Sequence, residues 1–185
     1  MRRRAYSGIG IPLFCTVVAA ALAADGTVSL RQSSVVATFK QQHAPVDAAF
    51  KNFSGTIIYD AAKPDASSAT LTVDMNSLDI GDDDSDAEVR KPAWFDSVRF
   101  PQATFRSTAI TPGTAGHFDA TGSLAIKGKT QTITVAVTVQ RTGGANAFDG
   151  NFELSRKVFG IGDPSWEGML DDTVRVHFHL LTAGP

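Results

Sequence analysis

The strongest constraint on this chain is a hydrophobic period of two. Ile133, Val135, Val137 and Val139 fall on one parity, and Ala69, Leu71, Val73 and Met75 alternate with Thr70, Thr72 and Asp74. Successive side chains of a strand point to opposite faces, so such a pattern describes strands buried on one side only. The same alternation recurs in Val35, Ala37 and Phe39, in Phe118, Ala120, Gly122, Leu124 and Ile126, in Phe148, Gly150, Phe152 and Leu154, and in Val174, Val176, Phe178 and Leu180. Thr56 to Asp60 and Ala103 to Ser107, the latter centred on Phe105, complete a set of about eight strands. Gly, Pro, Asn and Asp separate them, as at Gly128-Lys129 and Thr142-Gly143-Gly144.

Eight sequential strands joined by hairpin-sized connections face an edge problem, which closure into a barrel removes. The scarcity of long crossovers favours an all-β antiparallel barrel over a two-sheet sandwich. One insertion interrupts the series, from Ile80 to Phe100. Asp82, Asp83 and Asp84 open it, Ser85 and Glu88 stand at capping-box spacing, and Arg90 and Lys91 follow. Acid first and base later complement a helix dipole. Pro92 then breaks the pattern before Trp94, Phe95 and Val98, so the expectation is a short helical lid with an aromatic face over one barrel end.

The first residues read differently. Arg2, Arg3 and Arg4 precede a mostly apolar stretch from Ile9 to Ala23, which ends in Ala21-Leu22-Ala23 before Ala24-Asp25. That order is the signature of a secretory signal peptide, and the run falls short of the roughly 20 residues of a spanning helix. The expected division is a signal peptide over 1–23 and one barrel domain over 24–185, in a periplasmic or secreted protein. Cleavage would remove Cys15, the single cysteine, and with it any disulfide, thiolate or cysteine–metal chemistry. It would leave 14 basic against 19 acidic residues, a net charge of −5. A mildly acidic domain without basic runs argues against nucleic acid or anionic membrane surfaces as main partners.

The residues offer little chemistry. Asp82, Asp84 and Asp86 alternate like a calcium loop, but Ala87 and Ala93 stand where such a loop needs Gly and Glu. His177 and His179 share a strand face without a visible third ligand. No Ser sits in a nucleophile elbow, and Phe159-Gly160-Ile161-Gly162 leads into no helix. Arg156 and Lys157 fit either of two readings: meeting an anionic head group, or being solvated or tying down the loop that follows. Neither a catalytic set nor a metal site is expected. The composition instead stands out for twelve Phe against two Trp and two Tyr, large apolar surface without a polar handle. Barrels of about eight strands either fill with side chains or hold one small ligand, and periodicity alone leaves both open.

Six segments, in order, resemble the YceI-like polyisoprenoid-binding proteins. They are Ser34 to Gln41 with Pro45-Val46 and Phe50 to Ile57; Val73 to Asp79; Trp94-Phe95-Asp96; Phe100 to Ser107; Gly122 to Thr130; and Arg156 to Gly162 followed by Trp166. Ala48-Ala49 departs from the family where a Gly is common, with an expected effect on a bulge in the second strand, and Val158 replaces a usual acid. The resemblance implies a lipocalin-like barrel with a hydrophobic tunnel for an isoprenoid or quinone lipid, bound as ligand and not as cofactor. The family supplies no fixed set of ligand residues. Strand parity supplies the candidates: Phe39, Leu71, Val73, Met75, Phe105, Leu124, Val135, Val137, Phe152, Val176 and Phe178, with Trp94 and Phe95 closing one end.

The resulting expectation is a carrier, not an enzyme, serving transport, storage or protection. Pairing of two copies and transient contact with a membrane stay open. Two other readings compete with it. One is a barrel enzyme acting on an isoprenoid or lipid peroxide through Asp74, Asp79, His43 or the His177/His179 pair; the other is a stress protein whose core is simply full.

Overall fold

The computed structural model describes residues 26–183 except 61, 115 and 143. The signal-peptide reading falls outside these residues. Ten strand segments form one antiparallel sheet: β1 Ser34–Gln41, β2 Ala44–Phe50, β3 Phe53–Ile58, β4 Ser68–Asp74, β5 Leu78–Asp79, β6 Gln102–Pro112, β7 His117–Ile126, β8 Lys129–Thr142, β9 Ala145–Ser155 and β10 Thr173–Ala183. Their order is β3-β4-β6-β7-β8-β9-β10-β1-β2-β5.

The ten segments trace eight strands, because two strands are bent. β2 runs into β3 through Lys51 and Asn52, and β4 runs into β5 through a 3-10 turn at Met75–Ser77. Pairing continues across both bends, Lys51 N–H donating to the Ser77 carbonyl (3.0 Å) and Asp74 N–H to that of Asn52 (3.0 Å). The turn is written in the sequence: the Asp74 carboxylate accepts from Asn76 N–H (2.9 Å), and the Ser77 hydroxyl donates to the Asp74 carbonyl (2.7 Å).

The sheet then curls on itself. β10 pairs with β1, Ser34 opposite His179 through Thr38 opposite Arg175. The segment before β1 bridges Thr56 in β3 and Thr182 in β10, with Val28 N–H donating to the Gly55 carbonyl (2.9 Å) and Ser29 N–H to that of Leu181 (2.8 Å). Hydrogen bonds therefore close the ring at this end. At the other end β4 and β6 stay together only as far as Met75 N–H on the Pro101 carbonyl (2.9 Å), and β5 has no pairing with β6 among the described residues. The insertion 80–101 covers that parting.

Local chemistry explains the turns. Gln42 and His43 connect β1 and β2 with φ of 50° and 69°, and Lys127 and Gly128 connect β7 and β8 with φ of 47° and 72°. Two left-handed residues make the hairpin turn whose twist matches the strands, and Gly128 takes that conformation at no steric cost. In β6 the register shifts between Ser107 and Ala109. Ala103, Phe105 and Ser107 face inward before the bulge and Ile110 after it, which is why the alternation in the sequence stops at Ser107.

Three expectations are revised. The second strand starts at Ala44, twelve residues ahead of the expected Thr56, since β2 carries only a weak alternation around Pro45 and Asp47. Its pairing with β1 runs through Ala48 and Ala49 with no register shift, so the two alanines introduce no bulge. The insertion does form one helix, α1 Asp83–Val89, but Asp82 caps it, accepting from Ser85 N–H (2.9 Å) and its hydroxyl (2.7 Å). Ser85 is thus three residues inside the cap. Glu88, freed from a capping box, accepts from Lys91 and from the Trp94 indole N–H (3.1 Å).

Candidate ligand-binding tunnel

The inward side chains leave a cavity of about 220 Å³ that runs along the barrel. On β7 its wall extends from Phe118 to Ile126. At about 3.3 Å per residue and with the usual strand tilt, that is on the order of 20 Å along the axis. All thirteen candidate residues stand on the wall: Phe39, Leu71, Val73, Met75, Trp94, Phe95, Phe105, Leu124, Val135, Val137, Phe152, Val176 and Phe178. Parity supplied the eleven strand positions because the sheet surrounds one lumen, so the apolar face of every strand is the same surface; Trp94 and Phe95 came from the aromatic face of the insertion.

The lumen is open where the filled-core reading has it full. Phe105, Phe152 and Phe178 point inward yet remain only partly buried. Glycines on the neighbouring strands make room for two of these rings. A Cβ on Gly150 would stand 2.5 Å from the Phe178 ring, and one on Gly122 would stand 2.7 Å from that of Phe105. Each ring occupies the space that a Cβ on the neighbouring strand would need.

The two ends differ. At the hydrogen-bonded end Tyr59 stacks on Phe118 (centroids 4.7 Å apart, 23° between planes), and both meet Phe148 edge-on at 6.1 and 6.3 Å. Phe148 is 1% exposed. This end is an aromatic plug.

The opposite end is covered by the insertion and by the connection 156–172 between β9 and β10. Trp94 and Trp166 join these two covers edge-on at 6.0 Å, and Gly162 N–H donates to the Ala93 carbonyl (3.0 Å). Lys127 spans both, donating to the carbonyls of Gly160 (2.7 Å) and Ala93 (3.3 Å). Burial pushes its ammonium below the ordinary lysine range.

Arg156, 6% exposed, organises the connection. Its guanidinium donates to the carbonyls of Asp171 (Nε, 3.0 Å), Ile161 (3.0 Å) and Leu170 (3.1 Å), and Arg156 is also part of the tunnel wall. Of its two expected roles, tying down the loop is what these bonds do. Lys157 pairs outward with Glu167. Asp172 accepts from Ser155 (2.8 Å) and from Lys157 N–H (2.9 Å). Burial alone would raise its carboxyl, but these bonds and the two nearby cations hold it below the usual carboxylate range.

The residues required by the enzyme reading lie off the wall. Asp74 caps its turn, and Asp79 pairs with Lys51 (3.1 Å). His43 is exposed in a hairpin. His179 bonds Asp149 (2.7 Å), and His177 shares its outward parity on β10. Asp82 and Asp86 serve the helix and the Ile80 N–H (2.8 Å). Among the described residues no three His, Cys, Asp or Glu converge as metal ligands.

Parity reasoning missed part of the wall. Phe148 and Leu154 fall on a stripe already recognised, and Phe50 lies on β2, whose alternation is faint. Ile161 and Leu170 sit in irregular chain, where no period exists to reveal them.

A family profile described as a YceI-like domain matches residues 27–181. A UPF0312 protein of Azotobacter vinelandii is 30% identical over 150 residues, covering 76% of this chain and 78% of its own. The crystal structure of Burkholderia cenocepacia BcnA superposes with a TM-score of 0.81 at 40% identity, over 83% of this chain and 98% of that one. A polyisoprenoid-binding domain from Saccharophagus degradans, implicated in plant cell wall breakdown, shares the fold with a TM-score of 0.70 at 18% identity, over 86% of this chain and 98% of that one.

Proposed function

The chain belongs to the YceI-like family, and on that premise we propose that it is a carrier whose barrel encloses the tail of a long isoprenoid lipid, such as a polyprenyl or quinone lipid. The observation that carries this reading is the open lumen, an elongated apolar cavity lined from one end of the barrel to the other by inward side chains. Each 100 Å² of hydrocarbon withdrawn from water contributes about 2.5 kcal/mol, less the cost of ordering the tail. Affinity of this kind needs size and dryness more than specific polar contacts. The thirteen wall residues named above are the proposed tail contacts.

Binding without catalysis fits the same site, since the acids and histidines named by the enzyme reading face outward or cap turns, and the exposed Asp171 is the wall's one carboxylate among the described residues. The N-terminal pattern supports export to the periplasm or beyond, where such a carrier would move, store or shield its lipid. At the covered end Val98, 92% exposed, neighbours Arg99 and Phe100, and the partly exposed Val158 lies beside Lys129. Apolar and basic groups together support brief contact with a membrane at this end.

Organic extraction of the protein purified from its native host, followed by mass spectrometry, tests the proposal. An isoprenoid lipid recovered in near-stoichiometric amount is the expected result. Repeated absence of any such lipid, with no uptake of added quinone, is the falsifying one.

A further inference from the structure

We propose that the outer face of the barrel carries a binding site for one divalent transition-metal ion, copper(II) foremost, with His177 and His179 of β10 as its protein ligands. Phe178, between the two histidines, lines the lumen, so the site stands on the other side of the wall and is independent of what the tunnel holds.

The sequence by itself shows two histidines on one strand face and no third ligand. The fold adds what sets them up. β10 is paired on both sides here, His177 lying between Asn151 of β9 and Val36 of β1, and His179 between Asp149 and Ser34. Two residues apart on a strand held this way, the side chains leave the sheet from Cα atoms about 6.7 Å apart. Imidazole nitrogens bind such an ion at about 2.0–2.1 Å each, and two rings leaning together close the gap.

The tautomer of His179 is fixed as well. Its Nδ1 lies 2.7 Å from a carboxylate oxygen of Asp149. An ionised carboxylate only accepts, so Nδ1 carries the proton and Nε2 keeps its lone pair. A carboxylate behind the ring is the usual support of a metal-binding imidazole, because it orients the ring and makes it more basic. His177 is exposed and faces the neutral amide of Asn151 across the strands. Arg175, next along the same face, is paired with Glu153 at 2.6 Å, so its charge is offset beside the site. Two imidazoles with water completing the shell favour ions that bind nitrogen strongly, copper(II) ahead of nickel(II) and zinc(II).

His117 bounds the site. It lies in the same row across the sheet, opposite Thr138, which in turn lies opposite Asp149. Three strand spacings separate it from His179, roughly 14 Å, which is out of reach of a shared ion.

Titration of the untagged protein with copper(II) alone, followed by calorimetry and electron paramagnetic resonance, tests the site. One bound equivalent with hyperfine structure from two imidazole nitrogens is expected. His177→Ala and His179→Ala should each weaken binding about tenfold or more, since either leaves a single imidazole. Asp149→Ala should weaken it about tenfold through the ring it supports. His117→Ala should leave it unchanged. In the unaltered protein, a trace of copper(II) should broaden the ring signals of His177 and His179 in nuclear magnetic resonance spectra before those of His43 and His117, a readout that needs no variant to fold. Absence of a saturable equivalent, an equivalent that persists in both histidine variants, or broadening centred on His43 or His117 overturns the proposal. Full affinity in Asp149→Ala overturns the positioning role of Asp149.

Discussion

Trp94 and Trp166 meet edge-on, 6.0 Å between ring centroids at 71°, and this contact clasps together the two segments that cover one end of the barrel. Trp94 is anchored from behind by the Glu88 carboxylate, so Trp166 is the freer half.

Trp166→Ala should therefore unclasp the covers and leave the barrel standing. The lost edge-on pair is worth about 0.5–1.5 kcal/mol beyond area. Stopped-flow release of a fluorescent polyprenyl lipid should quicken, with the far-ultraviolet circular dichroism unchanged. An unaltered release rate would place the exit elsewhere.

Phe118→Ala acts at the other end. Phe118 is 4% exposed and stacks on Tyr59, so the truncation should cost about 3–5 kcal/mol in denaturant unfolding. It should also deepen the tunnel. Competition binding with tails of increasing length should show the preferred length moving upward, an effect that lost stability alone would not produce.

Gly150→Ala tests how the lumen stays open. The new Cβ would lie 2.5 Å from the Phe178 ring and 3.0 Å from the Ala136 carbonyl. The carbonyl belongs to a paired strand and the ring does not, so Phe178 should swing toward the axis. Overpacking of this kind costs about 1–3 kcal/mol. Binding capacity for the tail should fall more than stability does, measured by lipid uptake and thermal unfolding of the same preparation.

Acid should loosen the connection 156–172. The Asp172 carboxyl is held low in the folded protein, so its contribution to stability is present above the ordinary carboxylate value of about 3.9 and is lost as pH falls through the lower folded value. Asp172→Asn should lose at neutral pH what the native protein loses only in acid. Hydrogen exchange of the Lys157 and Val158 amides, followed from pH 6 downward after correction for intrinsic rates, should show the two proteins converging below about pH 4.

The sequence determined the strands and which side of each faces inward. Alternation is local, and a strand buried on one side must express it whatever its neighbours are. The same logic found eleven positions of the tunnel wall, while the charge and capping pattern after Asp82 gave the lid with Trp94 and Phe95. Parity failed where the backbone departs from a regular strand: at the bulge after Ser107, in β2 around Pro45, and in the irregular chain that carries Ile161 and Leu170. What only the tertiary structure decided is the state of the interior. Identical stripes of Phe and Val can fill a barrel or line one. The outcome depends on how Phe105 and Phe178 lie across Gly122 and Gly150 on neighbouring strands, a relation between residues 17 and 28 positions apart in the chain. The setting of Arg156 is likewise tertiary, because its three carbonyl partners come from a loop whose path no periodicity encodes.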